Sequence, residues 1–246
     1  MLTILYRDDR FIAIDKPSGL LVHRSLIDKH ETRFAIQLLR DQIGRHVYPL
    51  HRLDKPTSGV LLFALTEDAA RAMGAVFERN AVDKTYLAVV RGYTLEQDSI
   101  DYPLREELDR MSDSRARPDK PPQPALTDYR RLATLELEIP DGRHPTSRYS
   151  LLEVTPRTGR KHQIRRHMKH VFHPIVGDTT HGDGKHNRIF REHLHCQRLL
   201  LCARELRFVH PDSDTPIRIR APLDAEFQRV VDLFSAVYKN APMSMP

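Results

Sequence analysis

The chain has 246 residues, of which 40% are hydrophobic and 29% are charged. This length suits one large domain or two closely packed lobes, and this composition suffices for a buried core. No run of about 18 apolar residues occurs, which excludes an ordinary membrane-spanning helix. The N-terminus lacks the apolar stretch of a signal peptide, so we expect a cytoplasmic protein. The net charge of +6 is compatible with a polyanionic partner.

The predicted elements follow from the spacing of the apolar residues, which is two in strands and three or four in helices. In chain order, the predicted strands are residues 2–6, 11–15, 60–65, 84–91, 129–139, 148–155 and 198–208. The predicted helices are residues 31–43, 66–79, 159–170 and 223–237, with Thr66 and Pro222 at two of the starts. Regular alternation of strand and helix is absent. We therefore predict an α+β protein with a mixed, mainly antiparallel sheet.

Three segments are predicted to lack regular structure. Residues 51–59 form a polar loop, residues 112–124 form a Pro-rich mobile loop, and residues 241–246 form a frayed tail. The two cysteines, Cys196 and Cys202, lie in an apolar run, and we expect buried free thiols rather than a disulfide scaffold.

The polar loop before the strand at residue 60 carries the most specific chemistry. Its carboxylate, Asp54, is flanked by Arg52 and Lys55, and the loop leads directly into an apolar run of strand length. The residues alone leave two interpretations open. Asp54 is either a turn aspartate that caps its own backbone or an anion held among cations for chemistry.

A second notable segment, residues 155–169, is strongly basic and contains no acidic residue. Its basic residues are Arg157, Arg160, Lys161, Arg165, Arg166 and Lys169. Such a segment is either a solvated helix face or a surface for phosphate groups.

Four segments together resemble the RluA family of pseudouridine synthases. HRLDKPTSG, residues 51–59, is similar to the catalytic motif of that family. KTYLAVVRG, residues 84–92, resembles its second motif, and VTPRTGRKHQIRRHM, residues 154–168, resembles its third. The opening IAIDKPSGLLVH, residues 12–23, is also similar. The motifs occur in the order of the family and cover most of the chain.

The resemblance implies a role for each matching residue. Asp54 would be the catalytic carboxylate, Arg165 would pair with it, and Tyr86 would line the uracil pocket. Ile164 would pack on that pocket, and Arg52 would fill the space that the extruded base vacates. The other positions expected to contact RNA are His51, Lys55, Arg160, Lys161 and Arg166.

The resemblance also implies the architecture and the reaction. Residues 1–240 would form a single pseudouridine synthase catalytic domain of two packed lobes, with an active-site cleft across the sheet. The reaction is an isomerisation that gains no atom and changes no oxidation state, so we expect no cofactor and no metal.

The segment HPIVGDTTHGDGKHNR, residues 173–188, resembles the branch of the family that modifies tRNA in the acceptor or T-stem region, at nucleotide 65. The family pattern begins near residue 2, so we expect no N-terminal S4 RNA-binding domain. We therefore expect tRNA as the partner, with no protein partner and a monomeric state. Structured ribosomal RNA is the alternative substrate.

The sequence leaves three other functions to consider. Eight histidines between His162 and His195 suggest a metal hydrolase, but neither HExxH nor CxxC occurs. A kinase would need DFG and GxGxxG motifs, which are absent. A non-catalytic RNA-binding module would keep the same fold, yet the presence of Asp54, Tyr86 and Arg165 favours an active enzyme.

Overall fold

The computed structural model describes residues 1–23, 32–106 and 121–234. These residues divide into two compact units. Among the described residues, the first unit comprises those of Met1–Lys84, Pro103–Pro124 and Ala203–Pro222, and the second comprises those of Thr85–Tyr102, Ala125–Cys202 and 223–234. The predicted tail at 241–246, and residues 112–120 of the predicted mobile loop, lie outside the described residues.

The described residues contain ten strands and five helices. The strands are β1 (Thr3–Arg7), β2 (Phe11–Lys16), β3 (Tyr48–Pro49), β4 (Ser58–Ala64), β5 (Asp83–Arg91), β6 (Gln97–Asp101), β7 (Leu126–Leu137), β8 (Ser147–Pro156), β9 (Leu201–Val209) and β10 (Pro216–Arg220). The helices are α1 (Ala35–Ile43), α2 (Glu67–Glu78), α3 (Gln163–His170), α4 (Gly184–His193) and α5 (Ala225–Leu233).

The strands of the first unit lie in the order β1, β2, β4 and β9. The pairs β1–β2, β2–β4, β3–β4 and β9–β10 are antiparallel. Every residue of β4 is buried. Helix α2 packs on the strands through Ala69, Met73 and Val76, in one apolar cluster with Phe11 and Leu62. The predicted N-cap is confirmed, because the Thr66 side chain accepts a hydrogen bond from the Ala69 N–H.

The second unit orders its strands β5, β8, β7 and β6, with antiparallel pairing between neighbours. Alternate residues of β5 enter different apolar clusters. Leu87 and Val89 join the cluster that contains α4 and α5 residues, whereas Ala88 and Val90 join the cluster that contains α3. Both faces of β5 are therefore buried, which explains its continuous apolar run.

The predicted α+β class with a mainly antiparallel sheet is confirmed, since all the registered strand pairs are antiparallel. Cys196 and Cys202 are buried free thiols, as predicted. None of the five described helices combines the length and the hydropathy needed to cross a bilayer.

Three helix boundaries were wrong. Helix α1 begins at Ala35 rather than at residue 31, because the backbone at Phe34 is extended; residue 31 itself lies outside the described residues. Helix α3 begins at Gln163 rather than at residue 159, because His162 before it has a left-handed φ of 54°. Helix α5 is capped by Asp224, ends at Leu233 and does not include Pro222; residues 235–237 of the predicted helix lie outside the described residues.

The strand that follows the Asp54 loop approaches its neighbour closely at Gly59. This residue has a φ of 112°, and a Cβ placed on it would lie 2.2 Å from the Ala203 carbonyl oxygen. Only glycine fits both this conformation and this contact.

We predict that Gly59→Ala lowers the free energy of unfolding by on the order of 3 kcal/mol, because the added methyl displaces backbone. Gly74→Ala is the matched control, since Gly74 lies in α2 with nothing within 4 Å of an added Cβ. That change should instead stabilise the protein by about 0.5–1 kcal/mol. Urea denaturation of both variants measures the difference, and equal effects would contradict the assigned contact.

Candidate functional site

The Asp54 loop lies in the first unit, between β3 and β4. It is turned by a hydrogen bond from the Thr57 N–H to the Asp54 carbonyl oxygen, 3.0 Å long. Leu53 is buried beside it, whereas Asp54 itself is half-buried. The loop thus places a partly accessible carboxylate four residues before the first residue of β4, and this fully buried strand anchors the loop.

A buried ammonium group holds this loop to the preceding one. The Lys16 Nζ donates hydrogen bonds to the carbonyl oxygens of Pro17, Leu20 and Lys55, at 3.0, 2.7 and 3.1 Å. The Gly19 N–H also donates to the Lys55 carbonyl oxygen, at 2.8 Å. The residue next to Asp54 is therefore fixed through its own backbone. Lys16 lies in the family-like segment at residues 12–23, but nothing in the sequence indicates this role.

His51 is packed into the base of the same loop. Its Nε2 accepts a hydrogen bond from the Leu62 N–H at 3.1 Å, and its ring stacks on Phe77 with centroids 5.5 Å apart. Burial, and secondarily the nearby charge of Lys84, lower the pKa of His51 to about 4. The ring is therefore neutral at pH 7, as an accepting Nε2 requires. Its predicted contact with RNA stays a prediction.

The second unit holds the other catalytic candidates. Tyr86 lies half-buried in β5, opposite Val154 of β8. Ile164 is buried in the first turn of α3 and shares an apolar cluster with Tyr86. Arg165 follows it and is only 4% exposed. Of the predicted RNA contacts in this unit, Arg160 is exposed, whereas Lys161 and Arg166 are half-buried.

Arg165 forms a buried, bidentate ion pair that the sequence did not predict. Its Nε donates to Oδ2 of Asp178 at 2.7 Å, and its Nη2 donates to Oδ1 at 2.8 Å. The two side chains are 4% and 1% exposed. Bidentate pairing fixes the plane of a guanidinium as well as its position. Asp178 therefore determines where Arg165 points.

Asp178 is itself held by the turn that follows it. Its Oδ1 accepts hydrogen bonds from the N–H groups of Thr180 and His181, both at 2.9 Å. Burial raises the pKa of Asp178, but the hydrogen bonds from Arg165 and the two N–H groups outweigh it and leave the pKa below its usual range. The carboxylate is therefore ionised at neutral pH.

The turn that carries Asp178 is fixed at both ends. The Asn187 side chain donates to the Asp178 carbonyl oxygen and accepts from the Gly177 N–H, both at 2.8 Å. Gly177 has a φ of 79°, and an added Cβ would lie 1.9 Å from the Arg198 carbonyl oxygen. The signal for this turn was present in the family-like segment 173–188, but nothing in the sequence assigned Asp178 to Arg165.

The candidate residues thus fall into two groups. Asp54, Arg52, Lys55 and His51 belong to the first unit. Arg165, Tyr86, Ile164 and the basic residues around α3 belong to the second. The predicted pairing of Asp54 with Arg165 joins the two groups and stays a prediction.

Several of the eight histidines between His162 and His195 contact other protein groups. His173 Nδ1 lies 2.8 Å from the Arg91 carbonyl oxygen, and His186 Nδ1 lies 2.9 Å from the Tyr149 hydroxyl. His162 and His181 are 3.0 Å apart through ring nitrogens. Within residues 1–23, 32–106 and 121–234, no three His, Cys, Asp or Glu side chains converge as metal ligands would.

Comparison with known proteins identifies a family and several relatives that this chain resembles. Residues 10–170 match the protein family described as RNA pseudouridylate synthase. The tRNA pseudouridine synthase C of Vibrio cholerae is 56% identical over 234 residues, which cover 95% of this chain and 96% of that protein. The tRNA pseudouridine synthase C of Haemophilus influenzae is 53% identical over 234 residues, covering 95% and 98%.

Solved structures show the same fold. Human RNA Pseudouridylate Synthase Domain Containing 1 superposes with a TM-score of 0.67 at 28% identity, over 91% of this chain and 84% of that one. Human RNA Pseudouridylate Synthase Domain Containing 4 superposes with a TM-score of 0.68 at 24% identity, over 96% and 93%.

The buried ion pair gives a first prediction for this site. Asp178→Asn should lower the free energy of unfolding by on the order of 3 kcal/mol, because it removes the negative charge of a bidentate partner from the buried Arg165 guanidinium. Asp183→Asn is the matched control. Asp183 also pairs with an arginine, Arg91, but at 24% and 33% exposure, so its loss should be below about 1 kcal/mol. Equal losses in urea denaturation would contradict this assignment.

The depressed pKa of His51 gives a second prediction. Below about pH 6.5 the unfolded chain takes up a proton at this residue that the folded chain, with a pKa of about 4, does not. Stability should therefore decline as the pH falls from 6.5 toward 4. In His51→Gln, which can still accept from the Leu62 N–H, this decline should shrink by about 2–3 kcal/mol. An unchanged pH profile of unfolding would contradict the burial argument.

Proposed function

This chain belongs to the RNA pseudouridylate synthase family, and we propose that it isomerises uridine to pseudouridine in tRNA, with Asp54 as the catalytic carboxylate. The observation that carries the tRNA assignment is its near-full-length similarity to enzymes named as tRNA pseudouridine synthases. In the proposal, the target uridine lies in the acceptor or T-stem region, and the chain acts as a monomeric, single catalytic domain.

The reaction makes a narrow chemical demand. The N1–C1′ bond of uridine breaks, the uracil turns, and a C5–C1′ bond forms, so every atom of the nucleotide is retained. One ionised carboxylate close to C1′ and C2′ meets this demand, either as a nucleophile on C1′ or as a base on the 2′ proton. A second carboxylate for water activation, as glycoside hydrolases use, would favour hydrolysis instead.

Arg165 is the group that we assign to keep this carboxylate ionised. Its Nε and Nη2 are occupied by Asp178, and the proposal gives Nη1 to Asp54. A buried guanidinium with a fixed plane presents this hydrogen bond without reorganisation, which is what a catalytic site needs. The Asp178 carboxylate neutralises the buried charge, so Arg165 can remain in place when no RNA is bound.

The remaining residues are assigned to the uracil and the RNA. Tyr86 would stack on the uracil and Ile164 would pack against it, which excludes water from the reacting ring. Extrusion of the target base costs roughly a few kcal/mol. Arg52 would fill the vacated space beside the Asp54 loop, where it is exposed.

Phosphate contacts would offset the cost of extrusion. Arg160 is exposed, and Lys161 and Arg166 are half-buried, at the start of α3. Lys55 and the accessible edge of His51 are assigned to the RNA backbone near the target. Such contacts position the RNA without reading its sequence, so recognition of the target also depends on its folded shape.

The test is the loss of turnover in Asp54→Asn. We expect this variant to release no tritium from RNA labelled at C5 of uridine, a loss of at least about a thousandfold, while its affinity for the same RNA is kept. Asp9→Asn, which changes an exposed carboxylate in the β1–β2 turn, serves as the control and should turn over like the parent.

The outcomes separate the candidate functions. Normal turnover by Asp54→Asn would defeat the catalytic assignment. Pseudouridine formed in ribosomal RNA transcripts but not in tRNA transcripts would show that ribosomal RNA, rather than tRNA, is the substrate. RNA binding by the unaltered chain without any product would make it a binding module.

A further inference from the structure

Helix α3 ends in a Schellman motif that has an unusual residue at its left-handed position. The His173 N–H donates to the Met168 carbonyl oxygen at 2.8 Å, and the Phe172 N–H donates to that of Lys169 at 3.1 Å. These are the two hydrogen bonds that define the motif. The left-handed residue directly after the helix C-cap, which is usually glycine, is here Phe172, with a φ of 65°.

Phe172 is unfavourable in this place for two separate reasons. The left-handed conformation crowds the Cβ of a bulky residue, and glycine or asparagine relieves this. Phe172 is also 79% exposed, so burial in the core does not compensate for the strain. A single exposed apolar residue needs no explanation by itself. An exposed aromatic ring on a strained backbone is the kind of outlier that points to a function.

The backbone beneath the ring is held firmly. The Phe172 carbonyl oxygen accepts a hydrogen bond from Nη2 of Arg91 at 2.9 Å. Arg91 is itself paired with Asp183 at 2.5 Å, and its carbonyl oxygen lies 2.8 Å from Nδ1 of His173. The ring therefore projects from a fixed base, which reduces the entropy that a contact would cost.

The same helix end carries a second ring surface and positive charge. Tyr102 is 41% exposed and stacks on His170 with centroids 3.6 Å apart and planes 17° from parallel. Lys169 and His170 are exposed in the last turn of α3, and the helix sequence QIRRHMKH has no acidic residue. Aromatic rings beside cations are the surface on which proteins stack unpaired bases of RNA.

We propose that Phe172 is a stacking platform for an unpaired nucleobase of the RNA substrate, in addition to the groups assigned to the reaction. This inference rests on the proposed function, from which it takes the RNA. Stacking accepts any base, because every base has a π-face. Phe172 would therefore contribute affinity and docking geometry for a loop or bulge, without sequence specificity.

The direct test compares affinity and stability in the same variants. Binding is measured on an unmodified bacterial tRNA transcript, with all variants in the Asp54→Asn background so that the RNA stays unaltered. Phe172→Gly should weaken Kd about tenfold, while its melting temperature equals or exceeds that of the parent because the strain is relieved. Unchanged affinity, or a lower melting temperature, would overturn the proposal.

Two further variants identify the kind of contact. Phe172→Tyr keeps the ring and should bind within about twofold of the parent, whereas Phe172→Leu keeps only apolar bulk and should bind as weakly as Phe172→Gly. Full affinity in Phe172→Leu would overturn stacking. Leu95→Ala is the control, because Leu95 is an exposed aliphatic residue of the same unit, at 66% exposure, and its loss should leave Kd unchanged.

Salt dependence separates stacking from charge. The slope of log Kd against log salt should stay the same in Phe172→Gly, since no phosphate contact is lost, and should decrease by about one in Lys169→Ala. A changed slope in Phe172→Gly would contradict the proposed contact. A loss of self-association in sedimentation, with unchanged RNA affinity, would instead make the ring a contact between copies of this chain.

The two proposals can fail separately. If the unaltered chain makes no pseudouridine in the same transcript, the proposed function fails, whatever Phe172 does. If the unaltered chain makes product and Phe172→Gly binds like its parent, only the stacking inference fails.

Discussion

The buried pair of Arg165 and Asp178 is the interaction on which this account depends. A guanidinium that is 4% exposed needs an anion, and a bidentate carboxylate supplies both the charge and a fixed plane. Because two N–H groups hold that carboxylate in turn, Arg165 is already oriented before any RNA binds. An active site that must stabilise charge quickly benefits from such an arrangement, since no group has to reorganise during the reaction.

The Asp54 loop is also held by a buried charged group, which acts through different contacts. There the charge is the ammonium of Lys16, which donates hydrogen bonds to backbone carbonyl oxygens of two loops. Gly59 then lets the chain enter β4 within contact distance of Ala203. In each unit, a buried charged residue therefore holds the candidate catalytic residue, or the loop that carries it, in place. The residues that we expect to contact RNA are half-buried or exposed.

Much of this was predictable from the sequence, and the exceptions have physical reasons. Strands and helices with strong apolar periodicity were found, and the RluA-family resemblance is confirmed by the family match. Helix α4 and strands β3, β6 and β10 were missed, because short or polar elements carry little periodicity. Lys16 and Asp178 were missed because their roles depend on contacts with distant or backbone groups, which spacing does not encode. Phe172 was missed because its strain exists only in the folded helix end.

The most direct measurement is a crystal structure of Asp54→Asn bound to unmodified tRNA. The account predicts a uridine extruded from its helix, with the residue 54 side chain and Nη1 of Arg165 within about 3.5 Å of each other beside its ribose. Arg165 should keep its bidentate pair with Asp178. A residue 54 side chain that faces away from the uridine, or an Arg165 that reaches only Asp178, would contradict the account.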